Sequence, residues 1–295
     1  MSASEINSFG FNLIPIMTTT VEDAFLTGTL SEYTAGNLTQ IYSYGLCGQQ
    51  ALKTFNAPNA TSVGNYGFAN CYNLQQVGLP KCTYIGYEAF SYCSSLASIS
   101  IPACTYVDAN AFYGCSKLST VYLPNASGAS LYAVFGQCPS LINVVLNFSQ
   151  ITSLAGTFSY CYNLSQVLSF SQVSTIGAYT FYFCSVLAAI SFPMVSSIGQ
   201  NAFYGCSTLS QVSFPKLSYV GAGAFSGCTK LISFNLRGVT AIPTLSNSTA
   251  FNSTPIAGYS SKAGQFGSIY VPSSLYNSFL TATNWSYFSS RMISV

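Results

Sequence analysis

FSYCSSLASISIPACTYVDANAFYGC, residues 90–115, holds the order of residue types that decides the fold. Phe90 is followed by Cys93, Leu96, Ile99, Ile101 and Pro102, then by Val107, Ala111, Phe112 and Cys115. As a template it reads F-x-x-C-x-x-L-x-x-φ-x-φ-P, about four residues, then φ-[GD]-x-x-A-F, with φ apolar. The same order recurs outward from this stretch in both directions. Its Phe position is taken by Leu46, Phe68, Phe90, Phe112, Phe135, Phe158, Phe181, Phe203 and Phe225, each 22 or 23 residues after the last. Three residues later every copy has a Cys except the first, which has Gln49. Three beyond that runs an unbroken column from Leu52 to Leu231.

Self-similarity at a period of about 20–29 residues marks a leucine-rich-repeat solenoid and overrides a reading element by element. Each copy can bury its apolar side only against the next. Alternation in VGLP (77–80), ISIP (99–102), VYLP (121–124), ISFP (190–193) and VSFP (212–215) predicts one short strand per coil, with every second side chain inward. Successive strands lie about 4.8 Å apart in a parallel sheet, so about nine coils give a rod roughly 40 Å long. Proline ends each strand because it has no N–H to donate. The expected fold class is an α/β-type or mainly-β solenoid, a right-handed coil with a parallel sheet of short strands. It has about nine repeats of 22–23 residues and is capped at both ends.

Residues 1–20 lack periodicity and the basic n-region of a secretory signal, and read as a leader or attachment arm. Residues 21–40 read as an N-terminal cap, 41–236 as the solenoid and 237–295 as a C-terminal cap. In the last segment SSLYNSFL (273–280) predicts a short helix with Ser at its N-cap. That helix and Trp285 are expected to close the last coil as a hydrophobic lid. Two copies break register. PNASGASLYAVF (124–135) carries an extra residue, and LNFSQITSLAGTF (146–158) lacks the Pro and the φ-G pair. Residues 124–158 are either a local bulge or a departure with a purpose.

Composition narrows the function. Half of the 295 residues are hydrophobic and 5% are charged, against roughly 25% in an ordinary soluble protein. Disordered chains are charge-rich and aromatic-poor, so disorder is not expected. No uninterrupted apolar run reaches the roughly 18 residues of a membrane span. The net charge of +2 comes without a basic stripe, which gives nucleic acid no electrostatic footing. The surface must be built from Ser, Thr, Asn, Gln and the 22 Tyr residues. Such a mixture suits binding, because Tyr supplies contact area at low entropy loss and Ser and Asn supply adaptable hydrogen bonds.

Catalytic chemistry is poorly served. The chain has no histidine, and no nucleophile elbow, P-loop or dinucleotide fingerprint occurs. Among six carboxylates only Glu88 and Asp108 fall in adjacent copies; they are either solvated turn residues or ligands for a cation such as Ca²⁺. The eleven cysteines lack the C-x₂₋₄-C pairs of a zinc site. Eight stand one per coil, and neighbours about 4.8 Å apart with parallel side chains are badly placed for disulfides. They are expected to be buried free thiols, small hydrophobes hydrogen-bonded weakly to turn backbone. Cys82 and Cys104 form a second short column and Cys47 stands alone. No metal or cofactor is expected, and the protein is expected not to be an enzyme.

IGYEAFSYCSSLASISIP (85–102) and IGQNAFYGCSTLSQVSFP (198–215) resemble the BspA-like (Treponema-type) class of leucine-rich repeats almost position for position. The resemblance covers about residues 38–236. It implies a bacterial or protist surface protein that adheres to other cells, with no catalytic residues to carry over. GSIYVPSSLYNSFLTATNWSYFSS (267–290) also resembles, more loosely, the ends of repeat proteins from gut Firmicutes and their phages, which implies a tail-associated role. An extracellular, cell-surface or virion-associated location is expected. The partner is expected to be a protein or glycan receptor, with a homo-oligomer as the alternative in which the solenoid self-assembles.

Function then falls to positions the repeat leaves free. On the strand face Tyr122, Ile142, Asn143, Val145 and Leu168 mark a candidate contact centre whose apolar members gather at the irregular copies. Beside the Phe and Cys columns a tyrosine belt includes Tyr92, Tyr113, Tyr160, Tyr182 and Tyr204. The belt either binds a ligand or shields the coil edges.

Overall fold

The computed structural model describes residues 31–127, 130–166, 168–258 and 266–295. The expected arm (1–20) and the part of the N-terminal cap up to residue 30 lie outside the described residues. The chain divides into two compact units, one of residues 1–128 and 132–147, the other of 129–131 and 148–295.

Both units are built from the same β-solenoid coil, and it contains two strands where the sequence predicts one. The first follows the Leu column. In the first unit Glu32–Thr34, Thr54–Asn56 and Gln76–Gly78 pair in parallel, as do Ser98–Ser100, Thr120–Leu123 and Asn143–Leu146. In the second unit Leu168–Ser169 pairs with Ile190–Ser191, and Gln211–Ser213, Ser233–Asn235, Ser268–Val271 and Met292–Ser294 form a parallel ladder. The register of Ser98↔Thr120 and Ile99↔Val121 stacks like on like, so each coil places its apolar residue inward above the previous one.

The second strand precedes the φ-G pair. Ser62–Val63, Tyr84–Ile85 and Tyr106–Val107 pair in the first unit. Ser153–Ala155, Thr175–Ile176, Ser197–Ile198, Tyr219–Val220 and Thr244–Leu245 pair in the second. Glycine follows this strand because the preceding coil's backbone is too close for a side chain. A Cβ on Gly199 would lie 2.6 Å from the amide nitrogen of Ala178.

The Phe turn is a third ladder in which alternate residues bond to different partners. Glu88, Phe90 and Tyr92 donate their N–H to the carbonyls of Ala109, Ala111 and Tyr113 one coil on, at 3.1, 2.8 and 2.7 Å. The intervening Ala89, Ser91 and Cys93 donate backward to Gly86, Glu88 and Phe90 in local turns. This alternation requires left-handed backbone two residues before and two after the Phe position, as at Glu88 (φ 51°) and Tyr92 (φ 57°). The same pair of positions is left-handed in all nine coils that carry the Phe position, and the occupant is often not glycine: Tyr44, Tyr66, Asn70, Gln137, Tyr160, Tyr179 and Phe183 are among them.

The interior is made by columns. Phe68, Phe90, Phe112 and Phe135 stack at ring-centroid distances of 5.0, 5.4 and 5.8 Å in the first unit. Phe158, Phe181, Phe203, Phe225 and Phe251 stack at 5.5, 5.2, 5.1 and 5.6 Å in the second, all with interplanar angles of 14° or less. Within each unit the column thiols donate to the carbonyl of the residue at the Phe position one coil back, beginning with Cys71 to Leu46 at 2.9 Å. Cys93, Cys115 and Cys138 reach Phe68, Phe90 and Phe112, and Cys184, Cys206 and Cys228 reach Phe158, Phe181 and Phe203, each at 3.1 Å. All eleven cysteines are free thiols. Among the described residues no buried side-chain nitrogen or oxygen lacks a hydrogen-bond partner.

The irregular copies differ in their turns. Leu154 precedes Phe158 by four residues, where Ile176 precedes Phe181 by five; Gly156 takes the left-handed position directly after the strand. Asn147 takes the place of Pro, and a 3-10 turn, Phe148–Gln150, follows it.

The letter pattern ends at Leu236, but coil geometry continues. Ala250 and Phe251 occupy the A-F positions, and Thr254 takes the Cys position with its hydroxyl donating to the Phe251 carbonyl at 2.6 Å. Over Phe251 lie Phe288 at 5.2 Å and Trp285 at 6.2 Å. Trp285 is buried and donates its ring N–H to the Pro243 carbonyl at 2.7 Å. The C-terminal segment that carries Trp285 packs over the Phe251 ring. Its helix is Tyr276–Thr281, preceded by the 3-10 turn Ser273–Leu275, and neither has a side-chain cap. The expected Ser N-cap is therefore absent, because Pro272 fixes the entry to the turn and holds the capping position.

Candidate functional site

Inward columns are used up by packing, which leaves two groups of outward side chains. On the strand face of the first unit, Tyr122 and Val145 are register partners in adjacent strands. They are 48% and 39% exposed, and Ile142 at the start of the same strand is 41% exposed. Asn143, opposite Thr120, is exposed beside them. These four candidates lie together on two adjacent strands.

Leu168 is not among them. It is buried, and its register partner is Ile190, an apolar strand residue of the next coil. The cause is the extra residue of a 23-residue coil. Three residues separate Leu164 from the inward residue Leu168, where two separate Leu187 from Ile190. Everything after the insertion moves one place and so changes face, as a one-residue shift in a strand must.

The tyrosine belt divides between the units. In the first, Tyr92 meets Tyr113 edge to face at 5.7 Å, and the Tyr72 hydroxyl donates to the Asn70 side chain at 3.2 Å. Tyr92 lies flat against the next coil, where a Cβ on Gly114 would come within 2.6 Å of its ring. In the second unit Tyr160, Tyr182 and Tyr204 are drawn into one aromatic group. Tyr182 stacks on Tyr204 at 5.1 Å and stands edge to face with Tyr160 at 5.2 Å.

Three further rings join this group. Tyr179 meets Tyr182 at 5.3 Å, Tyr162 meets Tyr160 at 6.1 Å, and Phe183 lies 4.7 Å from Tyr182 and 5.8 Å from Tyr160. Tyr162 and Tyr179 are 41% and 42% exposed; the other four are half-buried. Burial pushes the Tyr182 hydroxyl above its ordinary range, and Tyr160 and Tyr204 add to the effect. Tyr179 and Phe183 escape a sequence search for tyrosines beside the Cys column. The signal that finds them is the pair of columns two residues before and two after Phe.

Three members of this group sit on the left-handed turn positions common to all nine coils. Tyr160, Tyr179 and Phe183 are left-handed, with φ of 61°, 58° and 59°. That conformation costs an L-residue about 1–2 kcal/mol and costs glycine nothing comparable. Equivalent positions are glycine at six places, among them Gly156, Gly205, Gly223 and Gly227, and carry side chains at the rest, among them Tyr44, Tyr66, Glu88 and Tyr92. Ring contacts worth about 0.5–1.5 kcal/mol each offset part of the strain.

Electrostatics offers little. Residues 118–215 contain no Asp, Glu, Lys, Arg or His. Of the two neighbouring carboxylates, Glu88 accepts from the Ser91 hydroxyl at 3.3 Å and Asp108 from the Ala109 N–H at 2.7 Å. Among the described residues no group of three or more His, Cys, Asp or Glu could hold a metal ion. None of their helices is long and apolar enough to cross a membrane.

Comparison with known proteins places the repeat. The BspA type leucine rich repeat region matches residues 39–164 and 152–261, in six copies. The chain belongs to this family. The BspA-type repeat thus accounts for the Phe, Cys and Leu columns.

Among solved structures, a leucine-rich cell surface protein from Faecalibacterium prausnitzii is 22% identical, covering 91% of this chain and 88% of its own, with a TM-score of 0.47. A leucine-rich repeat protein from Bacteroides ovatus is 17% identical, covering 90% and 84%, with a TM-score of 0.36. The leucine-rich repeat protein of T. pallidum is 19% identical, covering 68% and 77%, with a TM-score of 0.39. No curated protein matches the chain.

Proposed function

We propose that this protein is a non-catalytic binding and adhesion module. It acts at an extracellular surface and offers an uncharged face rich in Ser, Asn and Tyr to a protein or glycan receptor. One observation carries this reading. The repeat residues are buried in stacking, while exposed apolar side chains gather at Tyr122, Ile142 and Val145 in one unit and aromatic rings gather around Tyr182 in the other. Exposed rings among hydroxyls and amides supply contact area and directional hydrogen bonds together.

The BspA-type repeat supports a surface role, and the absence of a carboxylate–histidine or thiol–histidine pair leaves chemistry without a base. Fluorescently labelled protein on intact bacterial and epithelial cells tests the reading by flow cytometry. Saturable binding, competed by unlabelled protein, is expected; binding that is absent or never saturates would sink it.

Self-assembly is the second reading, favoured by the near absence of charge, which leaves little repulsion between copies. Sedimentation velocity separates the two. A concentration-independent monomer supports the receptor reading, and ordered oligomers or filaments support assembly.

A further inference from the structure

Within the binding role just proposed, we infer that the aromatic group Tyr160, Tyr162, Tyr179, Tyr182, Phe183 and Tyr204 is the binding site for a neutral glycan. Charge is the first argument. The whole group lies inside residues 118–215, where no side chain is charged. A protein partner carries charge on roughly a quarter of its residues. Burying such charges against these coils would leave them desolvated and unpaired. A neutral sugar polymer brings none.

Chemical fit is the second argument. The C–H faces of a pyranose carry slight positive charge and complement the negative faces of aromatic rings. Sugar hydroxyls need donors and acceptors of their own kind, which five phenol groups and the exposed Asn163 beside Tyr162 supply.

Conformation is the third. Tyr160, Tyr179 and Phe183 are left-handed at turn positions that some other coils fill with glycine and others with residues such as Tyr66, Glu88 or Gln137. Glycine would meet the same backbone at lower cost, and here the positions carry rings. They also touch one another across coils, since Tyr160 and Phe183 are stacked at 5.8 Å. The surface is therefore continuous from coil to coil and suits an extended polymer more than a single sugar.

The test uses the full chain, depleted from solution by insoluble neutral polysaccharides: cellulose, chitin, xylan, mannan and starch. Immobilised heparin and polygalacturonate serve as acidic counterparts. Binding is repeated from about 0.1 M to about 1 M NaCl, over which the Debye length falls from about 10 to about 3 Å. Retention on at least one neutral polysaccharide, changed by less than about twofold by salt, is expected. The double variant Tyr160→Gly, Tyr179→Gly should weaken it at least about tenfold.

Tyr122→Ser, in the other unit, should leave retention unchanged. If the double variant no longer unfolds cooperatively, Tyr162→Ser at an exposed side chain replaces it with the same expectation. Retention on no neutral polysaccharide, on acidic ones only, or equally by the variants would overturn the assignment. Saturable cell binding without glycan retention would reject the ligand class and leave the adhesion reading standing. Loss of both would reject both.

Discussion

Phe203 stands between Phe181 and Phe225 at 5.2 and 5.1 Å with no exposed surface. Removing such a ring leaves a cavity that flanking coils cannot collapse into without breaking their ladders. Phe203→Ala should therefore lower stability by about 3–5 kcal/mol, read from denaturant unfolding; a loss below about 1 kcal/mol would show that the column is not interior. The thiols beside it predict a pH dependence. Burial pushes Cys82 up to about 11 and Cys71, Cys104 and Cys138 up to about 12, from an ordinary value of 9.0. The folded chain thus keeps protons that the unfolded chain releases above pH 9. Stability from these thiols is complete below that pH and is lost as pH rises towards 11 and 12. The urea midpoint should hold steady from about pH 7 to 8.5 and fall by pH 10; a midpoint that stays constant or rises would contradict the sign.

At the scale of the element, the Phe turn rests on left-handed residues and on glycine where coils approach. Gln137 is exposed and left-handed (φ 56°). Gln137→Gly removes a penalty of about 1–2 kcal/mol and adds about 0.5–1 kcal/mol of backbone entropy to be lost on folding. A net gain of about 0.5 kcal/mol is expected, and a clear loss would show that the turn does not need that conformation. Gly199→Ala should lose about 1–3 kcal/mol by overpacking against Ala178. At the C-terminal end Trp285→Ala should cost about 3–5 kcal/mol and expose the ring of Phe251. Hydrogen exchange would then speed up first in the strands Ser268–Val271 and Met292–Ser294; unchanged exchange there would mean the lid carries no load.

These elements also show what a sequence can reveal. The Phe, Cys and Leu columns were legible because packing demands the same residue type at a fixed spacing. The left-handed positions were not, since Tyr, Glu and Gln carry no mark of that conformation and only inter-coil hydrogen bonds impose it. The second strand was hidden because two residues are too short to show alternation. Leu168 was misplaced because the coil's length reveals an insertion without locating it.

For the molecule as a whole, stacking claims the repeat residues and leaves recognition to side chains that the repeat does not specify. Tyr122 and Val145 were legible as strand positions facing out, and all of the aromatic group around Tyr182 except Tyr179 and Phe183 was legible as a belt. The partner was not, because a neutral surface carries no electrostatic signature of what it meets. The claim beneath every other is that the cysteine column is interior, reduced and hydrogen-bonded to the coil before it. Alkylation of the native protein with iodoacetamide at about pH 8, followed by intact-mass analysis, tests it directly. At most one adduct is predicted, at the half-buried Cys47, and all 11 cysteines should react once the chain is unfolded without reductant. Rapid native labelling at several cysteines, or fewer than 11 adducts after unfolding because of disulfides, would contradict the account.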